Sequence, residues 1–189
     1  MSTEPIFFLR SARLYLRPLE PSDALHFQGW INNPETRKFI CRQFPTDLES
    51  ETGWIKNLSI GGELPKNIVL AIILNAENLL IGNIALHDID WLNRRAETGM
   101  LIGPKEMRSQ GYGYEAKELL LKYAFDTLGL HRVVSMVLAS NPRSAACLKK
   151  NGYIEEGRQR NMYFRDGAWF DELIFGLLAT DWRTRQSKA

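Results

Sequence analysis

The sequence predicts an α/β (α+β) fold, with a mixed central sheet of about seven strands flanked by about four helices. Three observations predict it. Between residues 67 and 103 three apolar runs follow one another across short polar links, as in a meander. From residue 111 onward helical and strand periodicities alternate. Asp166–Gly167 then stands between two alternating runs, a hairpin signal.

In chain order, "RLYLRPL" (13–19) alternates as a strand, and "PSDALHFQGWIN" (21–32) reads as a helix capped by Ser22 or Asp23. Thr46 with Glu49 forms a capping box that opens a second helix over 46–58. "NIVLAIILN" and "LLIGNIALHDID" make a hairpin across Ala76–Asn78, and "AETGMLIG" (96–103) is the third strand of the meander. Ala116, Leu119, Leu120, Tyr123, Ala124 and Leu128 recur at helical spacing, with Gly129 placed to stop the helix. "HRVVSMVLAS" (131–140) is a strand. Asn141–Pro142 then caps a helix that Gly152 ends, and the last hairpin runs over 161–178.

The chain has 189 residues, enough for one domain that buries roughly 70% of its unfolded surface. Hydrophobic residues make up 44% and charged residues 24%, an ordinary globular balance. The net charge of +2 gives no reason to expect direct nucleic-acid or membrane binding, and the local basic clusters, such as the tail from Arg183, read as solvated surface. Cys41 and Cys147 are far apart and His26, His87 and His131 are scattered. Free thiols in a reduced, cytoplasmic setting and no metal site are therefore expected.

"RSQGYGYEA" (108–116) fits two phosphate patterns at once: G-x-G-x-x-[GA], and R-x-x-G-x-G through Arg108, Gly111 and Gly113. A nicotinamide site needs the glycines directly after a strand and a carboxylate at the end of the next one. Here "PKEMR" plus Ser109 and Gln110 intervene, and the next strand ends in Ser140–Asn141. A Walker loop lacks its G-K-[ST]. What remains is a backbone that can approach a bulky anion at the mouth of a long helix, with Arg108 adding positive charge.

The ordered series of strand 96–103, R-x-x-G-x-G with its helix, strand 132–139 and "NPRSAACLKKNGYIEEG" resembles the GNAT superfamily of acetyl-CoA-dependent N-acetyltransferases. "WINNPETRKF" (30–39), "NRRAETGMLIG" and the ending "EEGRQRNMYFRDGAWFDELIFGLLATDW" are similar to the RimJ/RimL-like ribosomal-protein acetyltransferases and the neighbouring spermidine acetyltransferases. The likeness runs from about residue 14 to 182, and implies a single GNAT domain over 1–189 whose sheet holds a splayed parallel pair.

The resemblance implies that the coenzyme's pantetheine arm lies in that wedge, on the backbone of Met100, Leu101 and Ile102. It places Arg108, Ser109, Gln110, Gly111, Tyr112, Gly113 and Tyr114 on the pyrophosphate, with Asn141 and Ser144 also contacting the coenzyme. An alkyl amine is charged at pH 7 and must lose a proton before it attacks. Glu97, in "RRAE", is the expected base, with Asp88 and Asp90 as alternatives; paired with Arg94 or Arg95, it is instead a rim charge. Ser144, three residues after Asn141, corresponds to the general acid of RimL-like enzymes. The spermidine enzymes have a tyrosine where this chain has Leu148. Asn141 also has an independent capping role, and Cys147 reads as a buried thiol.

The acceptor is expected to be a protein N-terminal amine, with a polyamine, an amino sugar or another small amine as the alternative, and a homodimer is among the assemblies allowed. Trp30, Phe39, Phe44 and Trp54 are candidates for the acceptor side, as are Glu35, Asp47, Glu49, Glu51 and Glu63. Two other classes remain open: an acyl-CoA sensor without catalysis, and a nucleic-acid-associated protein.

Overall fold

The computed structural model describes residues 6–58 and 64–187. In chain order the elements are β1 (Leu9–Arg10), β2 (Leu14–Pro18), α1 (Ala24–Asn32), α2 (Pro34–Arg37) and α3 (Leu48–Asn57). The meander follows as β3 (Ile68–Leu74), β4 (Leu79–Asp90) and β5 (Arg95–Ile102). Then come α4 (Tyr112–Lys122), β6 (Arg132–Leu138), α5 (Pro142–Lys150), β7 (Ile154–Arg165), β8 (Ala168–Leu178) and α6 (Ala179–Gln186). The eight strands lie in the order β1-β2-β3-β4-β5-β6-β8-β7, and β5–β6 is the parallel pair.

Both faces of the sheet are covered, which is why β3 reads as an unbroken apolar run with every residue buried. Leu70, Ile72 and Leu74 join Leu14 and Leu16 beneath α4, where Ala116, Leu120 and Leu121 form its buried stripe and Ala124 continues it in the turn that follows. Ala71, Ile73 and Tyr15 point the other way, onto Ala24, Phe27 and Ile55 of α1 and α3. The period-2 alternation of β2 and β3 thus feeds two cores.

The structure corrects several boundaries. Asp47, not Thr46, caps α3, accepting from the Ser50 N–H at 2.7 Å, while the Thr46 hydroxyl donates to Glu51. Asp23 makes no side-chain cap to α1; it accepts from Glu20 N–H and from Arg17. The eighth strand is the two-residue β1, too short to show a period. β7 starts at Ile154, well before residue 161. Its charged first half lies exposed on the sheet's edge, where no alternation between core and solvent is required. α6 turns part of the basic tail into a helix, anchored by Trp182 against Phe125 with ring centroids 5.6 Å apart. The turns follow the expected chemistry, with Asp166 and Gly167 both at positive φ.

Candidate active site

The β5–β6 ladder is three residues long. Arg95, Ala96 and Glu97 pair with Arg132, Val133 and Val134, and the strands then diverge. Side chains close the apex: the Ser135 hydroxyl donates to Thr98 O at 2.8 Å, and Thr98 Oγ1 lies 2.8 Å from the buried Tyr153 hydroxyl. Beyond this clasp Met100 and Leu101 face two cavities, of about 380 and 540 Å³, which meet along Phe39, Ile40, Asn141, Ser144 and Cys147.

The smaller cavity ends at the glycine loop. Gly111 caps α4 with φ of +85° and Ser109 is also left-handed, which turns the chain so that the first amides of α4 are free of intrahelical partners. A Cβ on Gly113 would come within 2.8 Å of Met100 Cε, so its absence keeps that passage open. From the far side Arg13 grips the loop, donating to Gln110 O at 3.0 Å, pairing with Glu115 at 2.6 Å and lying 4.7 Å over the Tyr112 ring.

Arg108 is held from within the fold. The Arg108 guanidinium offers no free fork to an anion, because it donates to Ile102 O, Gly103 O and Thr36 Oγ1 at 2.6–3.0 Å. It ties the end of β5 to α2, while Arg143 and Lys150 add further positive charge to the same cavity. Arg108, Ser109, Gly111, Gly113 and Tyr114 line that cavity; Gln110 and Tyr112 do not, being taken up with Arg13. Parted strand backbone, free helix amides and three cations fit a long phosphate-bearing molecule with an amide-rich arm.

Asn141 Oδ1 accepts from the Ser144 N–H at 3.2 Å, so the capping role is real, and both residues face both cavities. Cys147 is partly buried; burial pushes its thiol up, and its Sγ donates to Asn151 at 3.6 Å. That does not suit a thiolate nucleophile.

Glu97 lines the larger cavity, half-buried and opposite His87 in the β4–β5 register. Burial pushes its carboxyl above the ordinary value, as do the charges of Asp88 and Glu172, against a smaller pull from Lys117. Neither Arg94 nor Arg95 pairs with it, since Arg95 reaches Asp90 instead. Asp90 is held by Asn93 as well, and neither Asp88 nor Asp90 lines either of these two cavities.

The proposed acceptor-side residues divide. Phe39 lines both cavities, whereas Trp30 and Trp54 pack on Phe27 in the second core and Phe44 is exposed. Glu35 pairs with Lys38, Asp47 caps α3, and Glu51 is buried against Arg42 and Thr46. Glu49 is exposed, and Glu63 lies outside the described residues.

The cavity adds side chains that pattern reading missed. His87, Lys117, Tyr163 and Glu172 all line it, and Tyr163 donates to Glu172 at 2.7 Å. Burial is the main force pushing the His87 imidazole down, which keeps it neutral near pH 7. A signal for Lys117 and Glu172 was present: each is a charge on the buried face of its element.

Residues 13–154 match the family described as "Acetyltransferase (GNAT) domain". The chain is 30% identical over 188 residues to the ribosomal protein uS5-alanine N-acetyltransferase of Escherichia coli (strain K12), covering 96% of this chain and 95% of that protein. It is 36% identical over 103 residues to the YdaF protein of Bacillus subtilis (strain 168), a match spanning 54% of this chain and 56% of that one. The solved structure of spermidine N-acetyltransferase from Vibrio cholerae, in complex with CoA and spermine, superposes with a TM-score of 0.80 at 23% identity. That superposition covers 90% of this chain and 98% of the other.

Proposed function

Because the chain belongs to the GNAT acetyltransferase family, we propose that it moves the acetyl group of acetyl-CoA onto a protein N-terminal amine by direct attack. The observation that carries this reading is the parting of β5 and β6 after Glu97 and Val134, with the cationic glycine loop at one end of the gap and a carboxylate cavity at the other.

In this reading backbone groups of Met100 and Leu101 and the N–H of Ile102, whose carbonyl is taken by Arg108, bind the pantetheine amides. The first amides of α4 take the pyrophosphate with help from Arg143 and Lys150, and Asn141 divides its amide between the α5 cap and the pantetheine. Glu97, whose raised affinity for protons suits the task, removes a proton from the incoming ammonium directly or through water. A backbone N–H of β5 steadies the developing oxyanion, and the Ser144 hydroxyl, at the first turn of α5, protonates the departing thiolate.

For the acceptor, two features favour a peptide terminus over a polyamine. The chain carries Leu148 where the spermidine enzymes carry tyrosine, and the buried cation of Lys117 faces the cavity a polycation would enter. The name of the E. coli relative points the same way.

The test is coenzyme release from acetyl-CoA with ribosomal-protein N-terminal peptides, polyamines and amino sugars as acceptors. Peptide-dependent release is expected. Faster release with spermidine than with any peptide would overturn the acceptor assignment, and tight acetyl-CoA binding without turnover on any amine would point to a sensor.

A further inference from the structure

We infer that Lys117 is an internal acetyl acceptor: when no amine occupies the larger cavity, its Nζ takes the acetyl group of bound acetyl-CoA. The inference rests on the acetyl-CoA reading above.

Lys117 is the one buried lysine among the described residues, 2% exposed, on the face of α4 that its neighbours Ala116, Leu120 and Leu121 give to the core. A lysine on such a stripe ordinarily runs its stem along apolar surface and puts its head in water. This one instead lines the 540 Å³ cavity beside Glu97, Ser135, Met136 and Cys147. Its Nζ lies 5.9 Å from the Tyr153 ring, and no hydrogen bond or ion pair among the described residues engages it.

The groups around it leave the amine reactive. Burial disfavours the ammonium, while the charge of Glu97 on β5 favours it, as Cys147 on α5 would only if ionised; burial wins, and Lys117 is pushed down to about 8. His87 on β4 and Glu172 on β8 face the same cavity. At pH 8 the neutral fraction of such an amine is roughly a hundred times that of an ordinary lysine.

The step balances without another reactant. The Nζ lone pair forms a bond to the thioester carbonyl carbon, the C–S bond breaks, and coenzyme A leaves as a thiolate that takes up the proton lost by the amine, relayed by Glu97. The product is a neutral acetamide in the cavity that an acceptor amine needs. Lys117 thereby shuts down transfer when acceptor is scarce.

The experiment is to incubate the full chain with acetyl-CoA alone at pH 7 and pH 8.5, then read intact mass and locate the acetyl group by peptide mapping. The urea-unfolded chain and the Lys117→Arg variant serve as controls. A single acetyl group on Lys117, formed faster at pH 8.5 and absent from both controls, is expected. Unmodified Lys117, or acetyl groups scattered over exposed lysines as in the unfolded chain, would overturn the inference. Giving the same preparation the amine panel separates the two readings. Turnover on an amine with Lys117 untouched removes the inference alone, whereas no turnover and no modification removes both.

Discussion

The Ser135 hydroxyl donates to the main-chain carbonyl of Thr98 at 2.8 Å, one residue past the last paired rung of β5 and β6. It takes over a carbonyl that the shortened ladder no longer serves, in a place where both residues are buried. A buried acceptor stripped of its donor costs about 1–3 kcal/mol. Ser135→Ala is therefore expected to lower unfolding stability by about that amount, read as a shift of the urea midpoint with unchanged slope. Because the clasp sets where the wedge begins, the KM for acetyl-CoA is expected to rise as well. An unchanged midpoint would mean that the ladder closes itself.

Glu97→Gln separates catalysis from stability. Removal of a general base costs about 10²–10⁴ in rate, so kcat is expected to fall within that range while acetyl-CoA affinity holds. The wild-type rate should climb with pH through a point above the ordinary carboxylate value, since burial, Asp88 and Glu172 all raise Glu97. The stability sign is the opposite. A carboxyl raised on folding stabilises below its unfolded value, and that contribution is lost as pH rises through the folded one. Glu97→Gln is thus expected to stabilise the fold at pH 7 relative to pH 4, measured by thermal unfolding at both.

Gly111 holds φ of +85° as the N-cap of α4, and an added Cβ would stand 3.2 Å from an Arg13 amino group. A left-handed conformation costs a non-glycine residue about 1–2 kcal/mol. Gly111→Ala relieves that strain by moving the loop amides. The expected result is about tenfold weaker acetyl-CoA binding for every 1.4 kcal/mol so spent. Calorimetric titration with coenzyme A measures it.

The order of β5, glycine loop, α4, β6 and α5 was legible because each element carries its own period and punctuation, from Gly111 to Asn141–Pro142 and Gly152. The wedge lining followed from the resemblance those elements carry. What sequence pattern did not reveal depends on contacts across the chain. Arg108 matches the phosphate pattern, yet its fork is consumed by Ile102 O and Gly103 O, where the chain turns back after β5, and by Thr36 on α2, and a residue pattern shows neither the turn nor the docking of α2. Trp30 and Trp54 fit either the acceptor side or the core by their spacing, and α1 and α3 turn them onto Phe27. His87 and Glu172 enter the site from strands far apart in sequence, which the sheet order β4-β5-β6-β8 brings to one cavity.

Arg13 tests whether the loop is held in place or merely rests there. Its pair with Glu115 is half-exposed, so its direct worth to stability is about 0–1 kcal/mol. Its hold on Gln110 O and its stacking on Tyr112 act on the loop instead. Arg13→Ala is therefore expected to leave the unfolding midpoint near wild type at pH 7 while raising the KM for acetyl-CoA, with kcat little changed. The acid side offers a second readout. Burial raises the Glu115 carboxyl, but hydrogen bonds from Ser11 and Arg13 outweigh it and hold the group below its ordinary value. The stability this gives is present above pH 4.5 and is lost as pH falls through the lowered value. Without Arg13 that acid-dependent loss should shrink, visible as a flatter profile of unfolding stability between pH 5 and pH 3. If KM and the acid profile both match wild type, the loop owes its shape to Gly111 and α4 alone.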